Sequence, residues 1–433
     1  MTIYGNLKGF DCRANGAAVV GLDVSHNPAL QVLYCDSNSL ASLDVRKNPN
    51  LKELYCGHND LKSLDLSRNS ALEKLSCYDN GLESLDLSRN LALTELYCED
   101  NDFTSLDLSG CTALTVLDCA RSNLKSLALR SHPALVELHC EENDLTSLDL
   151  SGCPALQLLK CGVSRLTELD LSHNPALVSL DIRNSGDYYM SYNRVMVYTG
   201  EYSNEPKRNS FTVLDLSHNP ALKRLDCTSG ELTTLDLSYN PLLESLYCSN
   251  NRLKVLDLSH NPLLDTLYCI CNGLKKLNVS NNPNLTELFC YYNALEKLDV
   301  SSCDSLKWLH CYLNNLSRLD ISNNTALESL HCASNHLTSL DLSNNPSLNT
   351  VYCWGNDFTT KAWNELFCSL PHADPTAEES IIFAALSSRG EEADIILAAN
   401  GKIAMKKGWS IACYDWPDFT EIKEFTGKYR CTK

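Results

Sequence analysis

Apolar and polar positions along this chain repeat every 21 residues. Leu235–Val255 reads LDLSYNPLLESLYCSNNRLKV, and the same order recurs from about Cys12 to about Asn356. The leucine that opens each Leu-Asp-apolar unit stands at Leu22, Leu43, Leu64, Leu85, Leu106, Leu127, Leu148 and Leu169, and resumes at Leu214, Leu235, Leu256, Leu277, Leu298, Leu319 and Leu340. Each period holds two half-patterns. One has the form Leu-x-Cys, as in Leu54-Tyr55-Cys56, and its in-out-in alternation predicts a short strand. The other, LDLSxNP, predicts an irregular return segment closed by a turn. One strand and one return per period predict stacked coils with a parallel sheet along one side.

A fixed period of roughly 20–29 residues carrying L-x-x-L-x-L-x-x-N-x-L is the signature of a leucine-rich repeat. Leu243, Leu246, Cys248, Asn251 and Leu253 fill that template, with cysteine in the third apolar slot. Sixteen coils result, counting a worn first one and one in which Ile182 replaces the cysteine. Residues 1–21 form an N-terminal lead-in and irregular first coil, with Phe10, Cys12 and Asn15 matching the strand half. Residues 22–356 form the solenoid, and 357–433 a C-terminal capping module. The cap reads as a helix over Ala362–Leu370, a strand over Ser380–Leu386, a helix over Ala393–Lys407 and a strand over Trp409–Tyr414.

One interruption breaks the array. Leu169 to Leu214 is 45 residues where 21 are expected, so 24 residues are inserted within Arg183–Val213. The segment carries Tyr188, Tyr189, Tyr192, Tyr198 and Tyr202, and its runs suggest a small hairpin. Insertions in repeat proteins map to one face, often the binding face.

Asparagine three residues past each cysteine forms a second internal ladder: Asn38, Asn59, Asn80, Asn101, Asn143, Asn251, Asn272, Asn293, Asn314, Asn335 and Asn356. Its amide can satisfy backbone groups that a buried turn would leave unpaired. The ladder fails at Ser122, Ser164, Ser185 and Gly230, so looser coils are expected there.

The 22 cysteines change meaning once sorted by phase. Fifteen share the strand slot: Cys12, Cys35, Cys56, Cys77, Cys98, Cys119, Cys140, Cys161, Cys227, Cys248, Cys269, Cys290, Cys311, Cys332 and Cys353. They read as reduced, packed thiols acting as small hydrophobes, since each has two equivalent neighbours. Cys111, His132 and Cys153 replace another asparagine in consecutive coils, as does Cys303, but a metal would need a fourth, convergent ligand. The Asp that follows each opening leucine reads as an outward row rather than a calcium site, which needs oxygens converging on one point. No metal and no cofactor are expected.

The net charge of -18 argues against nucleic acid and against anionic membrane surfaces. No apolar run is long enough to insert in a membrane. The start has no basic segment followed by an apolar one, which suits either a cytosolic protein or a mature, trimmed form. Gly-rich phosphate loops, nucleophile elbows and His-x-x-x-His pairs do not occur. Cys368 and His372 lie close in sequence but have no orienting third group. The expectation is a protein that does no chemistry.

The repeat L-x-x-L-x-C-x-x-N-x-L-x-x-L-D-L-S-x-N-P-x resembles the cysteine-ladder repeats of the internalin family, and related repeat proteins common in Bacteroidetes. The match runs from about Cys12 to Asn356. Ala362-Trp363, Leu370-Pro371 and Lys407-Gly408-Trp409 are similar to the cap that follows such repeats. The resemblance implies a right-handed solenoid, extracellular or on a cell surface, acting in adhesion or recognition. The 24-residue insertion departs from the pattern, and no anchor segment is visible.

In this arrangement the residue before each cysteine should face solvent on the concave side, bordered by those after it. Tyr247, Tyr268, Phe289, Tyr291, Tyr292, Trp308, His310, Tyr312, His331, Tyr352 and Trp354 then form a dense aromatic and histidine face. Such a contiguous patch marks a binding surface for a protein or glycan ligand. The amino-terminal half differs, with Glu53, Glu95, Glu99, Asp100, Glu137, Glu141 and Glu142 among Tyr34, Tyr55, Tyr78 and Tyr97, a mixture that could steer a basic partner. An intracellular scaffold or enzyme inhibitor is the alternative reading.

Overall fold

The computed structural model describes residues 1–13, 19–184, 190–191, 195–196, 208–373, 380–385, 391–413, 420–422, 425–426, 428 and 430–431. They fall into two compact units, Met1–Leu222 with Asp226–Gly230, and Lys223–Leu225 with Glu231–Lys433.

In the first unit, three-residue strands recur once per coil from Gly9–Asp11 to Ser179–Asp181, all parallel and in register. The worn first coil joins this sheet, Phe10 standing opposite Leu33. Asn15 lies outside the described residues. A separate strand, Thr2–Tyr4, pairs with Asp23–His26 on the return side, which the repeat pattern does not foretell. In the second unit the strands run from Ser245–Tyr247 to Thr350–Tyr352, again parallel.

The leucines of both half-patterns and every cysteine of the strand slot are buried. Each coil thus adds the same apolar layer to its neighbours, the means by which a solenoid builds a core. The price of such a narrow coil is backbone polarity deep inside it, and two asparagine slots meet that demand. Asn59 Nδ2 donates to the carbonyls of Cys56, Gly57 and, one coil back, Cys35, each at 3.1 Å. Its Oδ1 accepts from Leu40 N–H at 3.0 Å. The second slot, the Asn of LSxN, is fully buried, and Asn48 Nδ2 donates to Val24 and Asn27 carbonyls at 3.1 and 2.8 Å. The outward Asp row serves local turns: Asp65 Oδ1 accepts from Ser67 N–H at 3.0 Å, and the same bond recurs from Asp23 to Asp341. Bonds from the Ser67 hydroxyl and then its N–H hold the Asp65 carboxyl below its ordinary range.

From Cys35 to Cys353, the residue two past each ladder cysteine takes a left-handed conformation, from Ser37 at φ 56° to Gly355 at φ 62°. Only glycine adopts this freely, and Val163, Tyr292 and Leu313 occupy it at some cost.

The cap extends the second unit's sheet. Ile381–Ala385 pairs parallel with Thr350–Tyr352, Ser410–Cys413 follows in parallel, and Thr420–Glu421 closes antiparallel. A helix over Thr360–Ser369 starts at Thr359, whose hydroxyl accepts from Ala362 N–H, and it buries Trp363, Leu366 and Phe367. The single helix expected over Ala393–Lys407 is instead two, Glu391–Leu397 and Lys402–Lys406. The chain breaks near Gly401, where any Cβ would lie 2.3 Å from the Phe425 ring.

Candidate functional site

Three columns of side chains stand on the sheet face of each unit, three residues before, one before and one after the ladder cysteine. Period-two alternation puts them all on the side opposite the buried leucine and cysteine.

In the second unit the middle column is Tyr247, Tyr268, Phe289, His310, His331 and Tyr352, continued by Phe383 of the cap. Ring centroids follow at 5.0, 4.3, 4.4, 5.5, 4.6 and 4.5 Å. Beside it, Tyr291 stacks on Tyr312 at 4.1 Å, and Tyr312 on His331 at 4.1 Å. The solvent-facing position expected for these residues is corrected by their packing. Tyr268, Phe289, Tyr291, His310, His331 and Tyr352 are buried, Phe289 completely. Each large ring is covered by the rings of adjacent coils and by the column alongside, so the aromatics consume their own exposure. Tyr247, Trp308, Tyr312 and Trp354 stay half-buried, and Tyr292 alone of the eleven is exposed, at 52%. Its ring meets Tyr291 and Tyr312 edge-on at 6.2 and 6.1 Å.

The first unit's face is more open and carries charge. Tyr34, Tyr55 and Tyr97 are half-buried, with Tyr34 and Tyr55 at 4.8 Å. Several acids are paired: Glu95 with Lys74 at 2.6 Å, Asp100 with Arg121 at 2.8 Å, and Asp118 with His139 at 3.3 Å. Others are not so compensated. Burial, with the nearby Asp118 charge, pushes Glu99 up to about 7, and burial also raises Glu141 and Asp36. Asp181 is pushed up to about 6 by burial and by Asp226, even though it is paired with Arg183 at 3.1 Å.

The thiols of the strand slot carry no chemistry of their own. Those from Cys12 to Cys353 are buried thiols outside any disulfide, and burial lifts Cys77, Cys269 and Cys311 to about 12. A thiol that cannot ionise is neither nucleophile nor ligand. Cys111, His132, Cys153 and Cys303 take over the work of the asparagine they replace. His132 Nε2 lies 3.2 Å from the Leu108 carbonyl, Cys153 Sγ donates to Leu129 at 3.4 Å, and Cys303 Sγ reaches Val279 and Asn282 at 3.8 and 3.7 Å. These are the carbonyls 24 and 21 residues back that an Asn amide would bond.

Two features lay beyond the sequence reading. Cys368 bonds Cys431 in a disulfide within the cap, a partner 63 residues away where the near neighbour in sequence is His372. The signal was present: sorting by phase leaves Cys368, Cys413 and Cys431 as the cysteines outside the array. The second concerns the insertion. Asn209 Nδ2 donates to the Cys161 carbonyl at 2.9 Å and its Oδ1 accepts from Leu166 N–H at 3.0 Å, so Asn209 is this coil's ladder asparagine in place of Ser185. Asn184 grips it, donating to the Asn209 carbonyl at 2.7 Å and accepting from its N–H at 2.8 Å. The added residues are therefore those between Asn184 and Asn209. Within them Met190–Ser191 pairs antiparallel with Val195–Met196. Tyr188, Tyr189, Tyr192, Tyr198 and Tyr202 lie outside the described residues.

A stacked parallel sheet on 21-residue coils, with an inward cysteine in every coil but that of Ile182, defines a leucine-rich-repeat solenoid. Leucine Rich Repeat family models match residues 252–272 and 333–349. The functional domain of InlJ from Listeria monocytogenes, which includes a cysteine ladder, is similar at 31% identity over 79% of this chain and 69% of that one, with a TM-score of 0.67. The chain belongs to the leucine-rich-repeat family in its internalin-like, cysteine-ladder form. A leucine-rich-repeat protein of Leptospira interrogans is similar at 20% identity over 85% of this chain and 99% of that one, with a TM-score of 0.71. The ectodomain of the receptor kinase GASSHO1/SCHENGEN3 from Arabidopsis thaliana, in complex with CASPARIAN STRIP INTEGRITY FACTOR 2, is similar at 21% identity over 87% of this chain and 50% of that one, with a TM-score of 0.58. At such identities the likeness is one of fold. No curated protein sequence matches the chain. No described helix is long and apolar enough to cross a membrane.

Proposed function

We propose that this is a non-enzymatic recognition or adhesion protein, displayed outside the cell, that binds a protein or glycoprotein ligand on its sheet face. The observation that carries the reading is Tyr292. It holds a half-exposed ring at φ 53°, edge-on to two buried or half-buried tyrosines, in a slot that most coils fill with short or charged residues. Backbone strain spent on exposing an aromatic ring is characteristic of contact residues. Trp308, Tyr312 and Trp354 extend the accessible surface, and the buried rings beneath them hold it rigid. Flat faces with polar edges suit a sugar ring as well as a peptide.

The cap disulfide supports an oxidising compartment. The reduced ladder is neutral on that point, since oxidants act on accessible thiolates and these thiols are buried. An intracellular scaffold, the rival reading, would require Cys368 and Cys431 to be reduced in the producing cell. Trapping thiols at lysis and mapping the pair by mass spectrometry decides between them.

The function is tested by screening the purified protein against a glycan array and a panel of extracellular glycoproteins, beside a Tyr292→Ser, Trp308→Ser variant. A hit lost in the variant, with an unchanged melting curve, supports the reading. A hit retained in full places recognition elsewhere.

A further inference from the structure

The first unit has a shallow hollow on its sheet face, with Tyr55, Tyr78 and Tyr97 as walls and Asp36 and Glu99 among its lining. Its form follows from two small residues. Ser76 stands in the middle column between Tyr55 and Tyr97, so the two rings are two strand spacings apart, roughly 10 Å, with a gap between them. Gly57 stands beside that gap. A Cβ there would fall 2.2 Å from the Tyr78 ring, so glycine is what lets Tyr78 lie back over the preceding coil.

The charges are one-sided. Arg13, the cation lining the hollow, is engaged by Asp11 at 2.7 Å and lies over the Tyr34 ring at 4.2 Å. Asp36 accepts from Gly57 N–H at 3.1 Å and feels the Arg13 charge, yet burial outweighs both and leaves its carboxyl raised. One carboxylate oxygen of Glu99 is wholly buried with no donor among the described residues. A buried carboxylate oxygen without a donor is costly. Nothing in the coil architecture requires that cost, since Gly57, Ala120 and Gly162 fill the same column elsewhere without it.

We propose that this hollow receives a single cationic side chain, lysine or arginine, projected by an extended segment of a protein partner. The tyrosine rings take the apolar stem and the face of the cation, and Asp36 and Glu99 take its charge. The inference rests on the recognition reading above and adds a second contact region, in the first unit, with a defined chemistry. Aromatic walls with a carboxylate at either side favour a cation over a neutral or anionic group, and the remaining acids of the face raise the encounter rate of a basic segment.

The test is a titration followed by NMR of the tyrosine ring signals. The probes are acetyl-Ala-Ala-Arg-Ala-Ala-amide and its citrulline twin, which keeps shape and loses charge. The arginine peptide is expected to bind at least tenfold more tightly than the citrulline peptide and to shift Tyr55, Tyr78 and Tyr97. An Asp36→Asn, Glu99→Gln variant should lose that preference. A Glu83→Gln, Glu168→Gln variant removes the same formal charge from exposed positions outside the hollow and should keep it within twofold. Equal weakening in both variants would reduce the effect to attraction by the net charge of -18 and overturn the proposal, as would equal binding of the two peptides or none. Melting curves of both variants confirm folding. Because the peptides read the hollow alone, a negative result leaves the ligand screen around Tyr292 standing, and a failed screen leaves this titration interpretable.

Discussion

Asn209 donates its side-chain amide to the carbonyl of Cys161 at 2.9 Å, across 48 residues of sequence. From Asn59 to Asn356 the regular coils make the corresponding bond over 24 residues, as Asn143 does to Cys119 at 3.0 Å, and in the first coil Asn38 reaches Cys12 over 26. The insertion has thus been placed where the ladder can close over it. Asn209→Ala would strand the Leu166 N–H and the Cys161 carbonyl inside the coil, at a cost on the order of 2 kcal/mol or more. Hydrogen exchange checks this: the Leu166 amide should lose protection in the variant, while amides of distant coils such as Leu61 keep theirs. Unchanged protection at Leu166 would mean that another group replaces the amide.

The aromatic face separates into rings that hold the fold and a ring that does not. Tyr268 stacks on Phe289 at 4.3 Å and 9° and donates its hydroxyl to Glu287 at 2.6 Å. Phe289→Ala should therefore cost about 3–5 kcal/mol, the usual range for a buried phenylalanine. Tyr292→Ala should change stability by less than about 0.5 kcal/mol, or raise it slightly by relieving the left-handed tyrosine. Urea unfolding of the two variants gives both numbers. A costly Tyr292→Ala would move that residue from the candidate surface into the packing.

These two cases mark how far the sequence carried. Coils, strands, inward leucines and the thiol slot were legible because a period of two lies inside a period of 21, and both can be counted along one chain. The solvent-facing position assigned to Tyr268, Phe289 and His331 followed the same alternation and was not sustained, because burial there is collective. It depends on the size of neighbours in adjacent coils and columns, which no single coil contains. The first unit shows the contrast: with Ser76, Gly57 and Ala120 between its larger residues, the same alternation leaves a hollow. Ser185 was assigned the ladder position by counting from Ile182, and only the bond to Cys161 reveals that the count resumes at Asn209.

His331 makes the second unit sensitive to acid. It is buried among Tyr312, Tyr352, Trp354 and His310, the last being the second imidazole in ring contact with it. Burial, and secondarily the His310 charge, push it well below the ordinary histidine value. The folded state then refuses a proton that the unfolded chain accepts near pH 6.5. Its contribution is present above about pH 6.5 and is lost as pH falls below it. His331→Phe keeps the stacked ring without the titration. Melting temperatures at pH 7.5 and 5 should show a smaller drop in the variant than in the parent protein; equal drops would show that His331 does not titrate on unfolding.

Glu99 has the opposite sign. Its carboxyl is raised to about 7 in the folded state, by burial first and by the Asp118 charge second, against an ordinary value near 4.5. Between those values the folded chain holds a proton that the unfolded chain has released, so this group's contribution is fully present below about pH 4.5 and declines until about pH 7. Glu99→Gln abolishes that decline. The variant should melt several degrees higher than the parent at pH 8 and no higher at pH 4.5, where both side chains are neutral. A carboxylate whose replacement stabilises the protein at physiological pH is one that folding alone would discard, and activity traded against stability is the common reason such groups persist. If the variant instead melts lower at pH 8, Glu99 is held by donors in the folded chain, and the uncompensated charge on which the cationic hollow depends does not exist.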